Sequence, residues 1–376
     1  MTERLTDLLH RAADDLAIPP ARLADVLRRG HSEHRRRRVG LWAGLTALAL
    51  VAAGLGVAAA TSPDATSDRR GVDAASAGPG AGLTGATFSV GVTVYYDGGS
   101  EHVTIADKAI KSSYYTSAGL LVRHGNNNAS DGGGPQRFSL VRPDGTVSPV
   151  SVVTEEIVPG VDPDQPYLAY TEVHSGEVQV VVHDISTDQE VARVAIPRSF
   201  DWGGWSGPPV ALSGDIVYVG GDDVIRTVDW RTGEVGETDL LEPGYPSVEG
   251  GRTVQRVGNE STVVDVATGE VLLSAPVGRF GYLSLSPDGR FATVGADDGR
   301  SFDVYDVATG THTTVAGAPY DFGWTPEGDL AHLVDDHVVT CSVTDGECTT
   351  GADEIPARGG GVAPGDVRFA GQTFES

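Results

Sequence analysis

A five-residue phrase returns along the second half of this chain. It reads Asp229-Trp-Arg-Thr-Gly233, then Asp265-Val-Ala-Thr-Gly269, then Asp306-Val-Ala-Thr-Gly310. Looser copies stand at Asp184-Ile-Ser-Thr-Asp188 and Ser342-Val-Thr-Asp-Gly346. The last residues of successive copies are 45, 36, 41 and 36 positions apart. A polar turn recurring about every forty residues marks one hairpin in each unit of four short strands, and such units pack radially as propeller blades. Two turns extend the series backwards: Pro143-Asp-Gly145 lies 43 residues before Asp188, and Asp97-Gly-Gly99 lies 46 before Gly145. Seven hairpins predict an all-β β-propeller of seven four-stranded blades, although six or eight also fit the length of residues 87–376. Val367-Arg-Phe-Ala370 is expected to pair with the first strands and close the ring.

The clearest blade runs from Phe280 to Thr314. Tyr282-Leu-Ser-Leu285 is its inner strand, Phe291-Ala-Thr-Val294 its second, Phe302-Asp-Val-Tyr305 its third and Thr311–Val315 its outer one. Pro287-Asp-Gly289, Asp297-Asp-Gly299 and Ala308-Thr-Gly310 are the turns between them: Pro presets φ, Asp bonds its own backbone and Gly accepts positive φ. Phe322-Gly-Trp324, Pro326-Glu-Gly328, Leu330–Val334, Asp335-Asp336 and Val338–Val343 repeat the scheme. With Ser286-Pro-Asp-Gly-Arg290 as its strongest phrase, residues 200–350 resemble the WD40-like and TolB-like propellers. The Trp-Asp dipeptide and the Gly-His pair of true WD40 repeats are absent. The resemblance implies a scaffold, and scaffolds of this kind serve many unrelated functions.

Ahead of the propeller the chain divides into three parts. Residues 1–38 form a basic leader with two short helices, one over residues 2–17 with a stripe of Leu5, Leu8, Leu9, Ala12, Ala13 and Leu16, the other over Ala21–Arg29. Val39–Ala60 is a run of 22 residues without a charge, long enough as a helix to span a hydrocarbon core. Arg35-Arg-Arg-Arg38 precedes it, so the positive-inside rule puts the N-terminus in the cytoplasm and the propeller outside. A cleaved leader ending at Ala58-Ala-Ala60 is the competing reading. Residues 61–86, rich in Ser, Ala, Gly and Pro, are expected to form a flexible linker. The leader resembles those of actinobacterial single-span regulators of the anti-sigma type, which implies a cytosolic partner for residues 1–38. The paired cysteines of the zinc-binding members are missing near His31 and His34.

Charge excludes one class of partner. The chain carries a net −25, and since residues 1–38 contribute +3, the remainder stands at −28. Such a body repels phosphate backbones, so no nucleic acid is expected. Cys341 and Cys348 flank the last hairpin turn, and outside the membrane that geometry predicts a disulfide. The sequence offers no nucleophile elbow, zinc-protease helix or phosphate-cradling loop, so no catalytic residues, resident metal or cofactor are expected. His124, His174 and His183 read as isolated strand or loop residues.

One pattern goes beyond folding. In a four-stranded blade the loop from the second to the third strand shares a face with the loop leading to the next blade. The first set holds Asp222, Asp223, Asp297, Asp298, Asp335 and Asp336; the second holds Phe200, Trp202, Trp205, Tyr245, Phe280, Tyr320 and Phe322. This face should be acidic and aromatic, suited to a protein, a sugar, another cell-envelope ligand or a bound Ca²⁺, whereas the Pro-Asp-Gly and Ala-Thr-Gly turns should leave the opposite face plain. The expected function is a non-catalytic binding or sensing ectodomain on a single-pass anchor. The alternatives are a transmembrane regulator acting through the leader, and an extracellular enzyme, which clustered, perturbed carboxylates in the central channel would favour.

Overall fold

A computed structural model describes residues 79–128, 133–155, 157–196, 206–221, 223–278, 281–295, 300–334, 337–354 and 367–372. The leader, the expected span and all but the last residues of the linker lie outside them. Among the described residues no helix is long and apolar enough to cross a membrane.

Seven antiparallel sheets follow one another along the chain. Blade II is typical. Its strands run outward from the axis in sequence order, as Ala109–Thr116, Gly119–Gly125, Gln136–Val141 and Val147–Thr154. Blades III, IV, VI and VII repeat that order, with inner strands Gly160–Val161, Val210–Ser213, Leu283–Leu285 and Phe322–Trp324. Blade V has the three strands Arg252–Val257, Glu260–Asp265 and Val271–Pro276, and its inner position shrinks to a single bridge between Glu249 and Arg252. Blade I breaks the order. Phe88–Val90, Thr93–Tyr96 and Glu101–Thr104 form its second to fourth strands, and Val367–Phe369 supplies the innermost. Val367 pairs with Val90 and Phe369 with Phe88, so the chain's last strand closes the ring as expected. The fold is a seven-bladed β-propeller.

Its core sits between blades. Each of the seven junctions holds its own cluster of buried apolar side chains; blades III and IV, for example, meet through Val178, Val180, Val182, Val210, Leu212 and Val217. In Glu177–Asp184, Val178, Val180 and Val182 face blade IV while Val181 faces blade II. Period-two alternation sends neighbouring side chains to opposite faces. Both faces are buried here, which is why the strand reads as a continuous valine run instead of alternating with polar residues.

The repeated phrase falls between the third and fourth strands, as the spacing predicts. Asp265 Oδ1 accepts the backbone N–H groups of Ala267 at 3.0 Å and Thr268 at 2.8 Å, and the N–H of Gly269 returns to the Asp265 carbonyl at 2.8 Å. Gly269 sits at φ 73°, where a side chain is strained. In the degenerate copy Asp188 takes that conformation, at φ 55°. Its carboxylate is held by the Ser151 N–H at 2.8 Å and by His183 Nε2 at 2.9 Å, contacts a glycine could not make.

Cys341 and Cys348 pair across the last hairpin and form the expected disulfide, with Cα atoms 4.0 Å apart. Closing so short a loop restricts the unfolded chain modestly, so Cys341→Ser with Cys348→Ser should cost roughly 2 kcal/mol of unfolding free energy. Urea unfolding of the pair variant checks this; no loss would mean that the bridge only decorates the hairpin.

Candidate functional site

Antiparallel order fixes two faces. The upper face carries the connections between second and third strands and those between blades. The lower face carries the first-to-second and third-to-fourth turns. Of the upper-face residues singled out in sequence, Phe200, Trp202, Trp205, Asp222, Phe280, Asp297, Asp298, Asp335 and Asp336 lie outside the described residues. Asp223 is exposed on that face. Tyr245 is also exposed, in a connection held where the Gly244 N–H donates to the Gly221 carbonyl at 2.9 Å. Tyr320 is 67% exposed in the single helical turn Pro319–Asp321.

Phe322 departs from the expectation of a surface ring, being only 4% exposed. It wedges between blades VI and VII, edge-on to Phe302 at 5.0 Å and stacked on His332 at 4.2 Å. It opens the inner strand rather than ending the loop before it, so strand alternation sends its ring into the blade junction.

A wider pattern emerges on the same face. Ten large apolar side chains among the described residues are exposed, and seven of them stand at upper strand ends or connections: Val153, Val173, Tyr245, Val257, Tyr282, Tyr320 and Val334. The remaining three, Val147, Val191 and Val271, stand at the lower ends of fourth strands.

The lower face is not plain, which corrects the sequence expectation. A cavity of about 150 Å³ follows the axis between the inner strands, lined by Tyr114, Tyr115, Val161, Leu212, Val248 and Glu249 among others. At its lower mouth carboxylates converge from three blades: Asp162 and Asp164 of blade III, Glu249 of blade V and Asp288 of blade VI. Asp162 is buried, its Oδ1 accepting the Asp164 N–H at 2.9 Å and its Oδ2 the Gly214 N–H at 2.7 Å. Asp288 accepts the Ser286 hydroxyl at 2.6 Å and the Arg290 N–H at 3.0 Å, and its second oxygen pairs with the Arg290 guanidinium. Glu249 is different: no described residue donates a hydrogen bond to its carboxyl. Glu249 is half-buried in the wall of the cavity. Desolvation, then the charges of Asp162 and Asp288, push its carboxyl up to about 8. Desolvation and the same two neighbours also raise Asp164. First-to-second turns lie next to the axis in every blade, so a turn residue such as Asp288 serves both its hairpin and the channel rim.

A second constellation spans blades I and II. His124 Nδ1 meets Asp107 Oδ2 at 2.6 Å, and His124 Nε2 meets Ser139 Oγ at 2.9 Å. That is the order of an acid, a base and a nucleophile. However, Ser139 is 7% exposed and does not line the channel cavity, and both Asp107 oxygens are bonded by Arg137, at 2.8 and 2.9 Å. The group is a cross-strand brace. Sequence spacing hid it, because Asp107 comes from the connection before blade II while His124 and Ser139 lie diagonally on adjacent strands. Nearby, Lys111 and Arg123 are buried, Lys111 Nζ donating to Asn127 Oδ1 at 2.8 Å and Arg123 reaching the Tyr114 hydroxyl at 3.3 Å.

No family model and no curated protein matches the chain. Among solved structures, 659 chains match. A protein of unknown function from Desulfotomaculum acetoxidans is 10% identical over 76% of this chain and 99% of its own, with a TM-score of 0.45. Hsv2 of Kluyveromyces lactis is 16% identical over 62% of this chain and 74% of its own, with a TM-score of 0.39. Hydrazine synthase of Kuenenia stuttgartiensis is 18% identical over 65% and 79%, with a TM-score of 0.37. These likenesses concern the fold alone.

Proposed function

We propose that this chain is a non-catalytic binding protein, held by one membrane span with its N-terminus in the cytoplasm, whose propeller binds a protein or cell-envelope partner on the upper face. The observation that carries the reading is the gathering of exposed apolar side chains on that face. The uncharged run Val39–Ala60 and the arginine block before it support the anchor. The chain joins the ring from below: the Thr84 N–H donates to Asp97 Oδ1 at 3.0 Å and the Gly85 N–H to Glu327 Oε1 at 3.1 Å, both acceptors lying in lower-face turns.

The test is capture from envelope extract by the full-length protein in detergent, compared with the triple variant Tyr245→Ser, Tyr282→Ser, Tyr320→Ser. All three side chains are exposed, so folding should be spared. Loss of at least tenfold in the captured partner is expected, and unchanged capture would reject the upper face. A second reading, an extracellular enzyme, is favoured by Glu249, since a carboxyl pushed up to about 8 in the channel wall suits a general acid. Turnover that disappears in Glu249→Gln would select it.

A further inference from the structure

The upper end of blade II carries a buried polar patch that serves neither the proposed partner surface nor the channel. We propose that it binds one small oxyanion that also bears a hydroxyl, such as hydrogen phosphate or an α-hydroxycarboxylate, on Gln136 and Thr154 in the field of Lys111 and Arg123.

Gln136 is wholly buried, and neither atom of its amide has a hydrogen-bond partner. Thr154 stands directly opposite on the fourth strand, also buried, and its hydroxyl has no partner either. Native proteins seldom leave such atoms unsatisfied without an occupant. Strand register brings the two cations to the same face. Arg123 lies opposite Phe138, two residues from Gln136, so it is diagonal to the amide. The next step of that register puts Gly125 beside Gln136, and a Cβ on Gly125 would meet Lys111 Cε at 3.0 Å. The lysine stem therefore crosses the strand where Gly125 has no side chain, turned there by the irregularity between Ile110 and Ser112. Phe138 and Val152 on this face pack against Leu168, Tyr170 and Val181 of blade III, so the patch caps the junction of the two blades.

Lys111 and Arg123 are the most deeply buried charges among the described residues, in a chain of net −25. A third cation is near: Arg368 donates to the Lys111 carbonyl at 3.0 Å, and burial followed by the charge of Arg123 holds its guanidinium below the usual value. Their shared positive field, and not any single N–H, is what draws an anion, and the low dielectric of the junction strengthens it. Gln136 and Thr154 select among anions. The amide N–H and the threonine hydroxyl donate to an oxyanion, while the amide oxygen requires a donor, which a ligand hydroxyl supplies and an ionised carboxylate or sulfate lacks. Burial excludes a polymer chain. Asn127, whose Oδ1 accepts from Lys111 Nζ at 2.8 Å, is exposed, so the patch lies one side chain below the upper surface.

The experiment titrates full-length protein in detergent at pH 7 by calorimetry, with the melting temperature followed alongside. Inorganic phosphate and lactate are the hydroxyl-bearing probes, sulfate and acetate the oxyanions without a hydroxyl, and lactamide the neutral control. Phosphate or lactate should bind at least tenfold more tightly than sulfate or acetate and raise the melting temperature by mass action; lactamide should do neither. Preference for phosphate or for lactate names the source, and both support the site. Gln136→Leu replaces an unsatisfied buried amide by an apolar group, and Thr154→Val keeps the shape of its parent, so both should fold. Each should lose at least tenfold in affinity for the preferred probe. No binding at millimolar concentration would leave water as the occupant and overturn the proposal. Equal affinity for sulfate and acetate, or unchanged affinity in either variant, would overturn it as well. Tyr245, Tyr282 and Tyr320 belong to other blades, so failure here leaves the partner-binding reading intact.

Discussion

A chain ended at residue 366 is expected to lose cooperative unfolding altogether. Blade I would lack its inner strand, and the junction of blades VII and I would lose Val367 and Phe369, both buried against Phe88, Val90 and Ala331. Ala370, wholly buried between blades I and II, would go too. Ring closure is where a propeller converts separate blades into one unit, so the loss falls on all seven. A graded version is Phe369→Ala. The Phe369 ring lies 5.9 Å from that of Phe88, and its Cβ packs so closely on Gly323 that any side chain there would collide with it. Deleting a buried phenylalanine costs about 3–5 kcal/mol. Urea unfolding followed by tryptophan fluorescence reads both variants. A truncated chain melting with the sharpness of the full one would show that three residues of pairing do not hold the ring.

The second large effect is expected at the Asp107 brace. Asp107→Ala leaves Arg137 without its carboxylate and removes the partner of His124 Nδ1, whose side chain is 7% exposed. Losing one member of such a buried network costs about 3 kcal/mol. Burial alone would raise the Asp107 carboxyl. The hydrogen bonds from His124, from the Lys108 N–H and from Arg137 outweigh it and hold the carboxyl below its ordinary value. A carboxyl lowered in the folded state stabilises the fold above its unfolded-state pKa of about 3.9, and that contribution fades as pH falls through the folded-state value. The gap between parent and variant should therefore be wide at pH 7 and shrink steadily as pH falls below the unfolded-state value. A gap of constant width would show that Asp107 acts by filling space and not by charge.

Much of the architecture was legible because it is written locally. All seven turns located in sequence, from Asp97-Gly-Gly99 to Asp345-Gly346, fall between third and fourth strands, since an aspartate capping its own turn and a glycine at positive φ are requirements of a few consecutive residues. The closing strand was legible because Val367-Arg-Phe-Ala370 had the pattern of a strand and no other partner. The disulfide followed from two positions on facing strands. The candidate site was harder to see. Asp162, Glu249 and Asp288 are 87 and 39 residues apart and meet only because the ring brings three inner hairpins to one axis. Asp288 looked like a turn residue and is one; its second role needs the neighbouring blades. Phe322 reads as a surface ring because a strand's first residue and a loop's last are indistinguishable in sequence. Nine of the thirteen upper-face residues lie outside the described residues, so the acidic character expected there rests on sequence.

Closure by Val367–Phe369 also orders events in time. Blade I is the first to leave the ribosome and the last to be finished. Between the synthesis of Val90 and that of Phe369, at about 5–20 residues per second, roughly 15–60 s pass with the inner edge of Phe88–Val90 unpaired. An open edge of this kind is a template for the wrong strand. The short length of Phe88–Val90 limits what a stray strand could gain by pairing there, and the nascent protein is exposed to mispairing until Val367–Phe369 arrives.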